Sequence, residues 1–265
     1  MALRAYLTID DSPSLHTDDL TDALKKRGVP ALLFCRGDKL EQNQEPITRA
    51  IQKGFVIGNH AYSHTRFSTL SLEQCVLEIE RTEKLIDTAY QNTGKERPGK
   101  YFRFPHMDRG AGGWIVDYDA VPVHREVLLK LFGDGLNIDL QPPSAIMRDK
   151  KECLQDYLKK SGFTPPCPSP SFTWYSQTEM AIAIDAMLTY STSDWMITKR
   201  HAGKWPYKTP DDLKKKIDSD PFLCHENSTH IILTHDQDET VDTTIALVDH
   251  LLDKGFKFLE FGEKK

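Results

Sequence analysis

Apolar and polar positions along this chain switch between two periods. Arg4 to Ile9 is a short run with β-branched and aromatic content, closed by Asp10-Asp11-Ser12-Pro13-Ser14, which predicts a strand over 4–9 and a turn after it. Thr17 is a plausible cap for a helix running to Gly28, and Ala31 to Cys35 is an apolar run of buried-strand length. A helix is expected from Pro46 to Lys53 and a strand from Phe55 to Gly58. Ser71 is expected to cap a long helix whose apolar positions Leu72, Cys75, Val76, Ile79, Leu85, Ile86 and Ala89 keep roughly helical spacing up to Gly94. Tyr101 to Phe104 reads as the next strand, stopped by Pro105.

The last part repeats the alternation, with a helix over Asp211–Ile217, a strand over His230–Thr234, a helix over Thr240–Asp253 and a strand over Lys257–Phe261. Strands that alternate with helices imply a mostly parallel α/β sheet or barrel with the helices outside. Residues 107–172 break the rhythm with clustered glycines and with the Pro165-Pro166-Cys167-Pro168-Ser169-Pro170 stretch. They read as an elaboration on one domain spanning 1–265, with helices near 124–132 and 149–160 and a rigid Pro-rich connector.

Composition narrows the function. Of 265 residues, 34 are Lys or Arg and 39 are Asp or Glu, a net charge of −5, which argues against a nucleic-acid partner because that footprint is basic. No apolar run approaches the ~20 residues of a membrane span, and the N-terminus does not read as a signal peptide, so a cytoplasmic location is expected. The five cysteines, Cys35, Cys75, Cys153, Cys167 and Cys224, are scattered and contain no C-x-x-C, a pattern of reduced thiols.

The candidate chemistry lies just after the expected strands. Asp10-Asp11 follows the first strand, where side chains of an α/β barrel reach the active-site mouth; taken alone, the segment reads rather as a surface turn. His60 and His64 stand four apart, able to reach one metal ion from a helical turn or a tight loop. A catalytic zinc takes three protein ligands, so Asp10 or Asp11 would have to complete the set. Arg103, if it points inward, needs a carboxylate partner. His235, after the strand over 230–234, can titrate near neutrality and act as a general acid.

Taken together, these residues resemble the polysaccharide deacetylase family, the NodB-type domain of carbohydrate esterase family 4. The resemblance rests on Thr8-Ile9-Asp10-Asp11, His60-Ala61-Tyr62-Ser63-His64, Arg103-Phe104-Pro105-His106, Ser191-Thr192-Ser193-Asp194-Trp195 and Leu233-Thr234-His235. It implies an irregular (β/α) barrel of seven or eight strands. It also implies Asp11, His60 and His64 as metal ligands, Asp10 as the general base, Arg103 as the group that holds the base oriented and ionised, and His235 as the general acid oriented by Asp194. Trp195 and Leu233 would line the acetyl pocket, and the main-chain N–H of His106 would serve the oxyanion. Ala61 and His106 replace the family's preferred hydroxyl and aromatic residues, and Ser191 stands where the family has an Asp.

The activity this implies is metal-dependent removal of an N-acetyl group from an amino sugar in a glycan, oligosaccharide or glycoconjugate. Two alternatives are a hydrolase of a small non-carbohydrate amide or cyclic imide or ureide, and a non-catalytic sugar-binding domain of the same fold. Zinc suits an Asp-His-His set, with cobalt, manganese or nickel as other occupants.

Overall fold

A computed structural model of the protein describes residues 3–113, 140–165, 188–224 and 229–262, with a few isolated positions between 114 and 139. Its centre is a parallel sheet. β1 (Leu3–Ser12) is flanked by β2 (Ala31–Cys35), followed by β3 (Val56–Asn59), and on the other side by β5 (Thr229–His235), followed by β4 (Tyr190–Ser191); β6 (Phe256–Phe258) pairs the first residues of β1. The helices between them are α1 (Thr17–Lys26), α2 (Gly37–Gln42), α3 (Glu45–Lys53), α4 (Leu72–Thr93), α5 (Ala145–Lys160), α6 (Pro210–Ser219) and α7 (Val241–Asp253).

Both faces of the sheet are buried, and the two-residue strand period sorts the side chains between them. Ala5, Leu7 and Ile9 of β1 and Ala31, Leu33 and Cys35 of β2 pack against the helices, in one cluster with Leu20, Leu24, Ile47, Ile86 and Leu247. Tyr6, Leu32, Phe34 and Val56 point the other way and meet Tyr101 and Phe261. Towards the C-terminal strand ends this inner face turns polar: Thr8, Asp10 and Arg103 are all buried there.

The long helix starts as expected. The Ser71 hydroxyl accepts from Gln74 N–H while the Gln74 side chain accepts from Ser71 N–H, a reciprocal cap, and Gly94 ends the helix at φ 65°. Three expectations are corrected. Thr17 is the first helical residue of α1 and not its cap, because its hydroxyl is engaged by Asp236 and Ser14. Tyr101–Phe104 forms no strand: Phe102 makes a single parallel bridge to Asn59, since Pro105 and the 3₁₀ turn it opens divert the chain at once. The last strand is Phe256–Phe258 and stops short of Phe261.

Within the elaboration, α5 packs on α4 and contributes Leu154 to a cluster with Phe67, Phe102 and Phe104. The Pro-rich connector beyond Pro165, and most of the helix expected near 124–132, lie outside the described residues. Among the described residues no helix is long and apolar enough to cross a membrane. The four cysteines described, Cys35, Cys75, Cys153 and Cys224, are free thiols.

Candidate active site

The site forms where β1, β2, β3 and β5 end. Strand alternation alone would send Asp10 to the inner face and Asp11 to the helix side with Ile9. The ladder between β1 and β2 slips at this point, so that Asp10 pairs Phe34 and Ser12 pairs Cys35, and Asp11 takes φ 69°. This bulge turns Asp11 back, so that two consecutive carboxylates face one cluster. Both are 4% exposed.

Arg103 Nη1 lies 2.7 Å from Asp10 Oδ1 and 2.8 Å from Thr8 Oγ1, and its guanidinium sits 4.4 Å from the centre of the Phe34 ring. Arg103 is 1% exposed, so the pair meets the demand that a buried charge be partnered.

His60 and His64 sit on a tight loop, not a helix. Ala61 and His64 both have left-handed φ, 59° and 58°. Hydrogen bonds from several sides hold this loop. Asn59 Oδ1 accepts from Ala61 N–H, and Glu78 Oε2 accepts from the N–H groups of Tyr62 and Ser63. His60 N–H donates to the Cys35 carbonyl of β2. Left-handed residues held this firmly cluster at working sites.

His60 Nδ1 is 2.8 Å from the carbonyl of Arg103, which can only accept, so Nδ1 carries the proton and Nε2 offers a lone pair. That Nε2 lies 3.9 Å from Asp11 Oδ1 and 3.6 Å from Asp10 Oδ2, and His64 Nε2 lies 3.2 Å from Asp11 Oδ1. One ligand atom from each of Asp11, His60 and His64 falls within 4.8 Å of the others. Asp11 Oδ1 is buried and has no hydrogen-bond partner among the described residues. An unsatisfied carboxylate oxygen converging with an imidazole lone pair is a donor set that suits a divalent cation.

Burial pushes Asp11 up, but the adjacent His64 and His60 outweigh it and hold the carboxyl well below the usual range. Burial drives His64 down to about 2 although Asp11 opposes it, so the ring is a neutral ligand.

His235 ends β5, opposite Asp10 in the ladder. Its Nδ1 is 2.7 Å from Asp194 Oδ1. Burial would lower its pKa, but the charge and hydrogen bond of Asp194 win and raise it to about 9. Asp194 is fully buried, yet it is held below its ordinary value by His235, Thr234 and the His235 main chain. Trp195, next to it, packs edge-on against Trp205 at 5.4 Å and against His201 at 4.9 Å. Leu233 is buried on the inner face of β5, two residues before His235.

His106 has φ 57°, and its Nε2 donates to the carbonyl of His64. Burial, with Arg66 nearby, lowers its pKa to about 4.

Sequence reasoning missed Asn59, Glu78 and Gln237. The first two fix the histidine loop, and Gln237 Nε2 donates to Asp11 Oδ2 at 2.6 Å. Only Gln237 leaves a trace in the sequence, as part of the polar run Asp236-Gln237-Asp238 that directly follows His235.

Residues 3–111 match the polysaccharide deacetylase family. A peptidoglycan-N-acetylglucosamine deacetylase from Bacillus cereus is 34% identical over 82 residues, 31% of this chain and 30% of that protein. The match thus spans under a third of that relative's length. A family 4 carbohydrate esterase from Streptomyces lividans, solved with acetate, superposes with a TM-score of 0.54 at 20% identity, over 96% of this chain and 90% of that one. A family 4 pseudoenzyme from Bacillus anthracis does so at 0.56 and 18%, over 97% and 63%. Fold likeness to an esterase and to a pseudoenzyme alike shows an irregular (β/α) barrel and leaves activity to the site. Over residues 3–111, less than half of its length, the chain is similar to the polysaccharide deacetylase family.

Proposed function

We propose that the protein is a metal-dependent hydrolase that removes the N-acetyl group from an amino sugar in a glycan, oligosaccharide or glycoconjugate. The observation that carries this reading is the meeting of three separate devices at one strand-end cluster. Asp11, His60 and His64 converge around an unsatisfied carboxylate oxygen, and Asp10 with Arg103 and His235 with Asp194 flank them. A binding module has no use for a base, an acid and a cation site together. The names of the relatives, deacetylases of peptidoglycan among them, and the acetate in one solved relative support the substrate class.

Asp11, His60 and His64 would hold the ion. A bound divalent cation supplies Lewis-acid polarisation of a carbonyl and makes water acidic near neutral pH. Asp10, fixed by Arg103, takes the proton of the attacking water. The main-chain N–H of His106 donates to the developing oxyanion, a type of contact worth ~3–4 kcal/mol. His235 enters as imidazolium and gives its Nε2 proton to the amine nitrogen, so the sugar leaves as an amine and acetate is released. Trp195 and Leu233 form the apolar wall beside the acetyl methyl. Zinc is the expected occupant, with cobalt, manganese or nickel as others.

The test is acetate release from a panel of N-acetylglucosamine oligomers by the metal-loaded protein, with a cyclic imide and a small amide as comparison substrates. Turnover of the oligomers that chelation abolishes is the expected result. Turnover of the imide alone would move the reading to non-carbohydrate C–N hydrolysis, and metal-independent sugar binding without turnover would overturn catalysis.

A further inference from the structure

Gln237 Nε2 lies 2.6 Å from Asp11 Oδ2, while Asp11 Oδ1 is the oxygen with no hydrogen-bond partner among the described residues, facing His64 and His60. Opposite a carboxylate only the NH₂ end of the amide can donate, so the direction of this bond is fixed. The base of the Gln237 side chain is fixed too. Its N–H donates to Thr240 Oγ1, its carbonyl accepts from Thr240 N–H, and Thr240 Oγ1 also donates to the carbonyl of His235. On the other side, Lys39 Nζ donates to the main-chain carbonyl of Asp11. Lys39 thus holds the backbone of Asp11, and the rotation of its carboxylate is left to Gln237.

We propose that Gln237 is a positioning residue for the metal site: its amide occupies Oδ2 of Asp11, presents Oδ1 to the ion, and ties the orientation of that ligand to the turn that carries His235. This rests on reading Asp11, His60 and His64 as the metal ligands. Outer partners that hydrogen-bond a ligating carboxylate typically change metal affinity or activity 10–100-fold when removed. Because the same turn carries His235, ion-ligand geometry and acid placement share one frame. In this role Gln237 acts on metal affinity and not on substrate binding.

The test uses the full chain, stripped of metal and titrated with Zn²⁺ in competition with a chromogenic chelator. Gln237→Met keeps the length and loses the donor; Gln237→Glu sets an acceptor against Asp11. The expected result is a Zn²⁺ dissociation constant raised about 10–100-fold in Gln237→Met and at least as much in Gln237→Glu. KM should stay unchanged at saturating Zn²⁺, and the melting temperature of the metal-free forms should stay at that of the parent. An unchanged dissociation constant in Gln237→Met overturns the positioning role. So does a lost affinity matched by an equal loss of metal-free stability, which would make Gln237 structural only. A parent protein that binds none of Zn²⁺, Co²⁺, Mn²⁺ or Ni²⁺ overturns the metal reading itself, a result separable from the other two.

Discussion

Asp194 grips His235 twice: Oδ1 meets the ring at Nδ1 (2.7 Å) and Oδ2 accepts from the main-chain N–H (2.8 Å). The ring therefore cannot turn without breaking a charge-assisted bond, and Nε2 is left as the proton donor. With the His235 pKa raised to about 9, the acid form persists well above neutrality. The alkaline limb of kcat/KM on an N-acetyl sugar should fall above the ordinary histidine range. In Asp194→Asn it should move down towards the ordinary histidine range near ~6.5. A limb that stays in place in this variant would take the acid role from His235.

The same shift has a stability consequence in the metal-free protein. A histidine raised from 6.5 to about 9 on folding stabilises fully below 6.5, and that contribution fades as pH climbs through 9. His64 and His106, depressed by burial, act the opposite way, but only below 6.5, where the unfolded chain takes up protons. Denaturant midpoints should therefore decline from pH 6.5 to 9 in the parent, and Asp194→Asn should flatten that decline.

Two neighbouring acids should separate cleanly. Asp10→Asn removes the proposed base while the ion ligands stay, so metal content should hold and kcat should drop ~10²–10⁴-fold. Asp11→Asn should lower metal content first, as should His64→Ala. Elemental analysis beside turnover distinguishes them, and the reverse pattern would exchange the two roles.

Gly58 makes a packing prediction that reaches the site. A Cβ there would meet the Phe34 ring at 2.7 Å, and that ring lies under the Arg103 guanidinium. Gly58→Ala should cost about 1–3 kcal/mol by overpacking. It should also displace Arg103 from Asp10, lowering kcat with metal affinity little changed. Thermal melts, turnover and Zn²⁺ titration on one preparation check all three.

Much of the frame was legible in the chain order of residues. Buried parallel strands read as apolar runs, and Ser71, Gly94 and Pro105 punctuate the elements, because period, caps and breakers act through local sterics and hydrogen bonds. The strand expected at 101–104 failed for the converse reason: its composition suits a strand, but pairing depends on a partner, and among the described residues only Asn59 offers one. The candidate residues Asp10, Asp11, His60, His64, Arg103 and His235 could be named from type, order and position after strands, and Asp194 only from the family resemblance.

How those residues meet is decided by tertiary structure. Strand alternation puts Asp10 and Asp11 on opposite faces; only the bulge against β2, with Asp11 at φ 69°, brings both to one site. The proton on His60 is placed by the carbonyl of Arg103, 43 residues away, and the free oxygen of Asp11 is selected by Gln237, 226 residues away. No local rule reaches over such separations. Hydrogen-bond direction and burial act through space, so the sequence by itself determined which groups are present and the order of the elements that carry them. Packing alone determined which lone pair faces which.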